Sequence, residues 1–232
     1  MGPLFIDRTD AGGRLAERLK GLAGTPDLLV LAIPRGGVVV GAEVAKRLRA
    51  PLDIVIPRKI GLPSNEELAI GAVTEDGTIL TEPDLASRLR IPPGYIEAEA
   101  NRQLVEIRRR LERYRGPRAL PEVKGKTIVL VDDGIATGYT VRAALQSLRR
   151  RDPARLILAV PVAPPDTLGE MEPLADETIC LESPESFSAV GQFYADFAQT
   201  TDEQVINLLG GYRDASSGKP NQAGATSAPA RR

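Results

Sequence analysis

The apolar positions of this chain follow two different spacings. Leu28 to Ile33 is an unbroken apolar run of strand length, and Thr127 to Val131 and Arg155 to Val162 repeat it. Runs without polar alternation predict strands covered on both faces, as in a parallel sheet. Between them the spacing changes to three and four. Asp10 to Ala23 carries Leu15, Leu19 and Leu22 at helical intervals and stops at Gly24. Val38 to Arg49 and Thr140 to Arg150 also have helix spacing, and Asp166 to Leu174 predicts a short helix. Leu52 to Pro57 and Glu177 to Leu181 complete the predicted strands. Residues 59–66, KIGLPSNE, read as a loop, and Leu68 to Thr81 as two short strands around the turn pair Asp76-Gly77. From Asp84 to Tyr114 the pattern is helical. Ile96, Ala100, Leu104, Ile107, Leu111 and Tyr114 recur at steps of three or four, with Glu and Arg between them, until Gly116-Pro117 ends the run.

Strand and helix alternate through most of the chain, which predicts an α/β fold with a doubly wound, mainly parallel sheet. Residues 1–213 form one expected domain, with a core of about 24–83 and 117–182. The Arg-rich helix, about 84–116, reads together with the hairpin before it as an insertion, and 183–213 as a small cap. From Asp214 to Arg232 the chain is mostly Ser, Gly, Pro, Ala, Asn and Gln, so a disordered tail is expected.

Composition narrows the chemistry. The 232 residues are 42% hydrophobic, and 30 basic side chains face 31 acidic ones, so the charge gives no reason to expect a nucleic-acid partner. No run approaches the roughly 18 apolar residues that span a bilayer, and the N-terminus lacks a signal-peptide core. A soluble cytoplasmic protein is expected. Cys180 is alone, which excludes an internal disulfide, and it reads as a small core residue. With no histidine there is no Ser-His-Asp triad, no His-ligated zinc and no imidazole base. Chemistry is left to carboxylates, Lys, Arg, hydroxyls, backbone amides and a bound cation.

The strongest motif is Ile128 to Thr140, IVLVDDGIATGYT. An apolar strand delivers two adjacent carboxylates to its C-terminal end, where open α/β sheets bind ligands. A loop of small residues then leads into a helix, and amides at such a helix start form an anion site. Acids beside a phosphate cradle would repel the phosphate, so they suit ribose hydroxyls or Mg²⁺ instead. Capping of the helix alone would not explain two acids on a wholly apolar strand.

This segment resembles the signature of the type I phosphoribosyltransferases: a hydrophobic strand, two acids, then a loop with Thr-Gly and a final Ser or Thr. Gly134 departs from it, standing where a larger apolar residue or Ser is usual. The resemblance covers roughly Leu28 to Ser183. It implies that Asp132 and Asp133 bind the ribose hydroxyls of phosphoribosyl pyrophosphate (PRPP). It also implies that Ile135, Ala136, Thr137, Gly138, Tyr139 and Thr140 hold the 5-phosphate. Pro34-Arg35-Gly36-Gly37 follows a buried strand as the family's pyrophosphate loop does, which gives Arg35, Gly36 and Gly37 that role. Arg58-Lys59, with Leu62-Pro63 behind it, resembles the basic pair of the adenine and orotate enzymes. Lys59 and Arg35 are then the expected catalytic cations on the leaving group. The family uses Mg²⁺ carried by the substrate, with Asp132 or Asp133 as available ligands.

The implied reaction transfers phosphoribose from PRPP to a nitrogenous acceptor, with a homodimer expected and no nucleic acid or membrane partner. Enzymes for 6-oxopurines carry an acid two residues after the position of Gly134. Ala136 stands there, which argues against hypoxanthine or guanine. The alternative is a non-catalytic PRPP or nucleotide sensor on the same fold. A relative of the PRPP synthases fits less well, since the chain is short and lacks their histidines. Phe193 and Tyr194, in the aromatic cluster with Phe187 and Phe197, are candidates for stacking on a base, against ordinary packing. Arg102, Arg108, Arg109, Arg110 and Arg113, interleaved with Glu97, Glu99, Glu106 and Glu112, read as a solvated, salt-bridged helix face.

Overall fold

The structure is a computed structural model that describes residues 2–63, 65–81, 85–117 and 121–216. Its centre is a parallel sheet of five strands: β1 (Leu28–Ala32), β2 (Leu52–Ile54), β6 (Thr127–Val131), β7 (Arg155–Val162) and β8 (Glu177–Glu182). They are ordered β2-β1-β6-β7-β8, and every pairing is parallel. All five residues of β1 are buried, which is why its sequence shows no alternation.

The two faces of the sheet are covered by different helices. On one face Val30, Ala32, Val129, Val131, Ile157 and Ala159 pack with α1 (Arg8–Arg18), α2 (Gly36–Leu48), α4 (Tyr95–Arg115) and α7 (Asp202–Ser216). On the other, Leu31, Ile128, Leu130, Leu156 and Leu158 pack with α5 (Tyr139–Arg149) and α6 (Pro165–Met171). The doubly wound fold read from the sequence is the one observed.

A second sheet, antiparallel, joins β3 (Arg58–Leu62), β4 (Asn65–Val73) and β5 (Ile79–Thr81). Residues 59–66, expected as a loop, are therefore mostly a hairpin. Its pairing is irregular at Gly61, which weakens the strand pattern in the sequence. The helical stretch from 84 is two helices, α3 (Leu85–Arg88) and α4. Pro92-Pro93 and the left-handed Gly94 separate them, because proline supplies no amide to continue a helix. α7 runs past Asp214, where the tail was expected to start, to Ser216, and residues 217–232 lie outside the described ones.

The N-terminal residues are part of the body. The amides of Leu4 and Phe5 donate to the Phe193 carbonyl at 2.8 and 2.9 Å. In return Ala195 donates to Phe5 and Asp196 to Ile6, both at 2.8 Å. Asp7 caps α1 by accepting from the Asp10 amide at 2.8 Å, which starts the helix at Arg8. Among the described residues, no helix is long and apolar enough to cross a membrane.

Candidate functional site

The strand order places the site. From β1 the chain moves outward to β2, and it returns to the other side of β1 with β6. The switch point is the gap between β1 and β6, and ligands of such sheets bind there, at the carboxyl ends of the strands. The loop after β1 is Ile33 to Gly37, and the loop after β6 begins with Asp132 and Asp133. The two strongest motifs of the sequence thus meet at the one place the topology favours.

They meet closely. A Cβ on Gly36 would stand 1.9 Å from Asp133 Oδ2 and 2.6 Å from Arg8 Nε. One on Gly37 would stand 2.8 Å from Asp132 Oδ1. Glycine is required at both positions because the first loop packs directly on the acid pair. The Pro34–Arg35 peptide in this loop is cis.

The two acids are held differently. Asp132 Oδ1 accepts from the Asp133 amide at 2.9 Å. Asp133 Oδ2 accepts from Arg8 Nε at 2.7 Å, and the Asp133 carbonyl accepts from the Tyr194 hydroxyl at 2.5 Å. Burial, then the neighbouring Asp133 charge, pushes the Asp132 carboxyl well above the usual carboxylate range. Burial also raises Asp133, while Arg8 opposes the shift. The result is a pair of carboxyls, one of them backed by a cation and the other not, beside a loop of small residues.

That loop is only partly available to an anion. Ile135 is buried and its amide donates to the Val162 carbonyl at 2.9 Å, so its N–H is already used. The Ala136 carbonyl accepts from the Thr167 hydroxyl at 3.0 Å, which ties the loop to α6. Gly138 caps α5 in the left-handed conformation, at φ +76, where a Cβ would meet Thr167 at 2.8 Å. The helix then opens at Tyr139 and Thr140, whose amides belong to a first turn with no carbonyl one turn back. With the Ile135 amide spent on Val162, the expected anion loop narrows to Ala136, Thr137, Gly138, Tyr139 and Thr140.

The expected cations are more dispersed. Arg35 Nη1 lies 3.6 Å from Asp202 on α7, which also pairs with Arg113 of α4 at 2.9 Å. Arg58 Nε donates to Gln103 of α4 at 2.9 Å, and burial lowers its pKa. Strand alternation puts Lys59 on the opposite face of β3 from Arg58, in register with Ala72 of β4. Phe193 and Tyr194 are 2% and 4% exposed and pack with Phe5 and Val162. Rings so enclosed leave no open face for a base, and the ordinary-packing reading describes them. Acidic residues of α4 hold three of its arginines, Glu99 pairing with Arg102 at 2.5 Å and Glu106 bonding Arg109 and Arg110 at 2.8 and 2.7 Å.

Sequence reasoning missed Arg8 and Tyr194 as a hydroxyl donor, and it placed Phe197 in the aromatic cluster without the Arg8 guanidinium that stacks over it at 3.8 Å. Their partners are far away along the chain, and no local period marks them. The one available signal was the helix-capping Asp7 directly before a cation.

A phosphoribosyl transferase domain model matches residues 7–198. This chain belongs to that family. The Mycobacterium tuberculosis protein named "Putative phosphoribosyl transferase Rv0571c" is 45% identical over 206 residues, which cover 89% of this chain and 46% of that protein. The chain thus spans about half the length of this relative. The "Bifunctional protein PyrR" of Chloroflexus aurantiacus is 34% identical over 131 residues, 55% of this chain and 66% of its own. Among solved structures, TT1426 from Thermus thermophilus superposes with a TM-score of 0.77 at 44% identity, covering 91% of this chain and 99% of that one. The family match begins at Asp7, so it takes in Arg8 and α1 as well as the acid pair.

Proposed function

We propose that this domain transfers the phosphoribosyl group of PRPP to a nitrogenous acceptor other than a 6-oxopurine, releasing pyrophosphate. The observation that carries the reading is the packing of Gly36 and Gly37 against Asp133 and Asp132 at the sheet's switch point. In this reading Asp132 and Asp133 orient the ribose hydroxyls. The amides of residues 136–140, with Thr137 and Thr140, hold the 5-phosphate. Gly36, Gly37, Arg35 and Lys59 face the pyrophosphate. The acceptor nitrogen attacks C1 as the C1–O bond to pyrophosphate breaks, and the leaving group carries the bonding pair. Catalysis is then positioning together with stabilisation of growing negative charge. Ala136, in place of an acid, leaves no side chain there to take a proton from a purine N7.

Two adjacent carboxylates fit Mg²⁺, a hard cation that takes one or two protein carboxylates and completes its shell with substrate phosphates and water. Bound with the substrate, the ion would neutralise pyrophosphate charge.

The sensor reading has its own support, since Arg35 and Arg58 both engage side chains of the fold, Asp202 and Gln103. Release of pyrophosphate from PRPP and Mg²⁺ across a panel of nucleobases separates the two. An enzyme shows turnover with at least one base. Lys59→Ala then lowers kcat by roughly 100-fold, the scale of losing one transition-state contact, with a far smaller change in PRPP affinity. Binding of PRPP with no turnover on the full panel, and Lys59→Ala acting on affinity alone, would establish the sensor.

A further inference from the structure

We propose that Arg8 is a positioning residue for PRPP. It holds Asp133 by one oxygen, so that the carboxyl meets the ribose in a single orientation, and it fastens the 195–198 segment to the same acid. The inference rests on the assignment of Asp132 and Asp133 to the ribose. Arg8 stands at the first position of α1, its backbone fixed by the Asp7 cap. Its guanidinium makes three contacts, one with the acid and two with the 197–198 segment, beside the Tyr194 hydroxyl that already ties that segment to the Asp133 carbonyl. Nε donates to Asp133 Oδ2 at 2.7 Å, and Nη1 donates to the Ala198 carbonyl at 2.8 Å. The plane itself stacks on the Phe197 ring at 3.8 Å.

The pair is largely enclosed, with 11% of the Arg8 side chain and 16% of the Asp133 side chain exposed. Gly36 lies over it, since a Cβ there would be 2.6 Å from Arg8 Nε. This is not a surface ion pair, which solvent would screen to near nothing. A planar fork with separate donors suits the role in a way an ammonium would not. One donor fixes the acid, a second fixes the segment behind it, and the ring holds the plane. Fixing Asp133 in advance spares the bound complex the cost of ordering it.

Calorimetry of PRPP with Mg²⁺ tests this on wild type, Arg8→Gln, Asp133→Asn and the double variant, with melting curves for each. Arg8→Gln is expected to weaken PRPP roughly 10–100-fold, within the range of coupling between contacting residues. If Arg8 acts through Asp133, it costs less than about threefold more once Asp133→Asn is present. A purely structural role lowers the melting temperature and leaves the two losses additive, which overturns the proposal. So does tighter binding by Arg8→Gln, which would make Arg8 an obstacle to the ribose. Arg8→Lys keeps the charge and the fold while losing the fork. It is expected to bind PRPP less well than wild type, and wild-type affinity in that variant also counts against the role. Should Arg8→Gln fail to fold, the Lys variant in both Asp133 backgrounds carries the same cycle. If wild type does not bind PRPP, or Asp133→Asn changes nothing, the ribose assignment itself is wrong. If those two behave as expected and the Arg8 variants match wild type, only the role of Arg8 falls.

Discussion

Gly134 departs from the family signature, and Val190 explains why. A Cβ on Gly134 would stand 2.6 Å from Val190 Cγ1 and 3.0 Å from Val162 Cγ1. Val190 and Val162 thus fill the space that a larger side chain at 134 would take. Gly134→Ala should therefore overpack the site and cost about 1–3 kcal/mol. Val190→Ala in the same chain should recover part of that loss, because the two Val190 methyls are gone while the Val162 contact and the backbone at φ +157 stay. Equilibrium urea unfolding of the two singles and the double tests the contact, and an unrecovered double variant would break the link. Gly36 presents a different case. Its Cβ would fall 1.9 Å from Asp133 Oδ2, so the chain cannot give way without moving the acid. Gly36→Ala is expected to remove PRPP binding even where the protein still melts cooperatively, a separation that calorimetry beside a melting curve resolves.

The parallel strands were legible in the sequence because burial on both faces writes a continuous apolar run. β6 and β7 appear within a residue of where Thr127 to Val131 and Arg155 to Val162 place them. The antiparallel sheet was not, because β3 contains Gly61, is irregular in its pairing and is half-exposed in its first two residues. Nor did the helical pattern of α4 reveal what its last residue does. Arg115 at the end of α4 is buried, donates to Asp53 of β2 at 3.0 Å and lies 3.9 Å from Glu75 in the turn before β5. Burial pushes the Glu75 carboxyl up to about 7, against the pull of Arg115. Between the ordinary carboxylate value and about 7 the folded protein thus binds a proton that the unfolded chain releases. Stability from this group is present below the unfolded pKa and is lost as pH rises through 7. Glu75→Gln should remove that dependence, so the variant gains on wild type by roughly 1–3 kcal/mol between pH 5 and pH 8. Denaturation midpoints at both pH values check it, and a parallel pair of curves would show that Glu75 is charged throughout.

What holds the candidate site together is contact across long stretches of chain, which local periods do not record. Arg8 and Asp133 are 125 positions apart, Tyr194 and Asp133 61, and Arg8 and Ala198 190. The acid pair and the glycine loop could be read from the sequence, each beside its own strand. The third wall, made from the N-terminal residues and the 193–198 segment, became visible only once the sheet had brought them together. α7 extends the same logic to the far side. Asp202 at its start pairs with Arg35 of the glycine loop and with Arg113 of α4, and it accepts from the Tyr114 hydroxyl. Val205 and Leu209 then enter the core between α2, α4 and β2, and the Tyr212 hydroxyl reaches the Ala42 carbonyl. The helix is therefore needed up to its last buried turn, whereas residues 217–232 are rich in Ser, Gly, Pro and Ala and offer little to bury. Leu209→Ala, which removes a side chain 3% exposed, should cost about 2–4 kcal/mol. Truncation after Ser216 should leave the melting temperature and PRPP affinity within error of the full chain. A clear drop on truncation would mean that the last sixteen residues dock on the body. A neutral Leu209→Ala would mean that α7 rests on the core without being part of it, and that Asp202 steadies Arg35 from a helix the fold can spare.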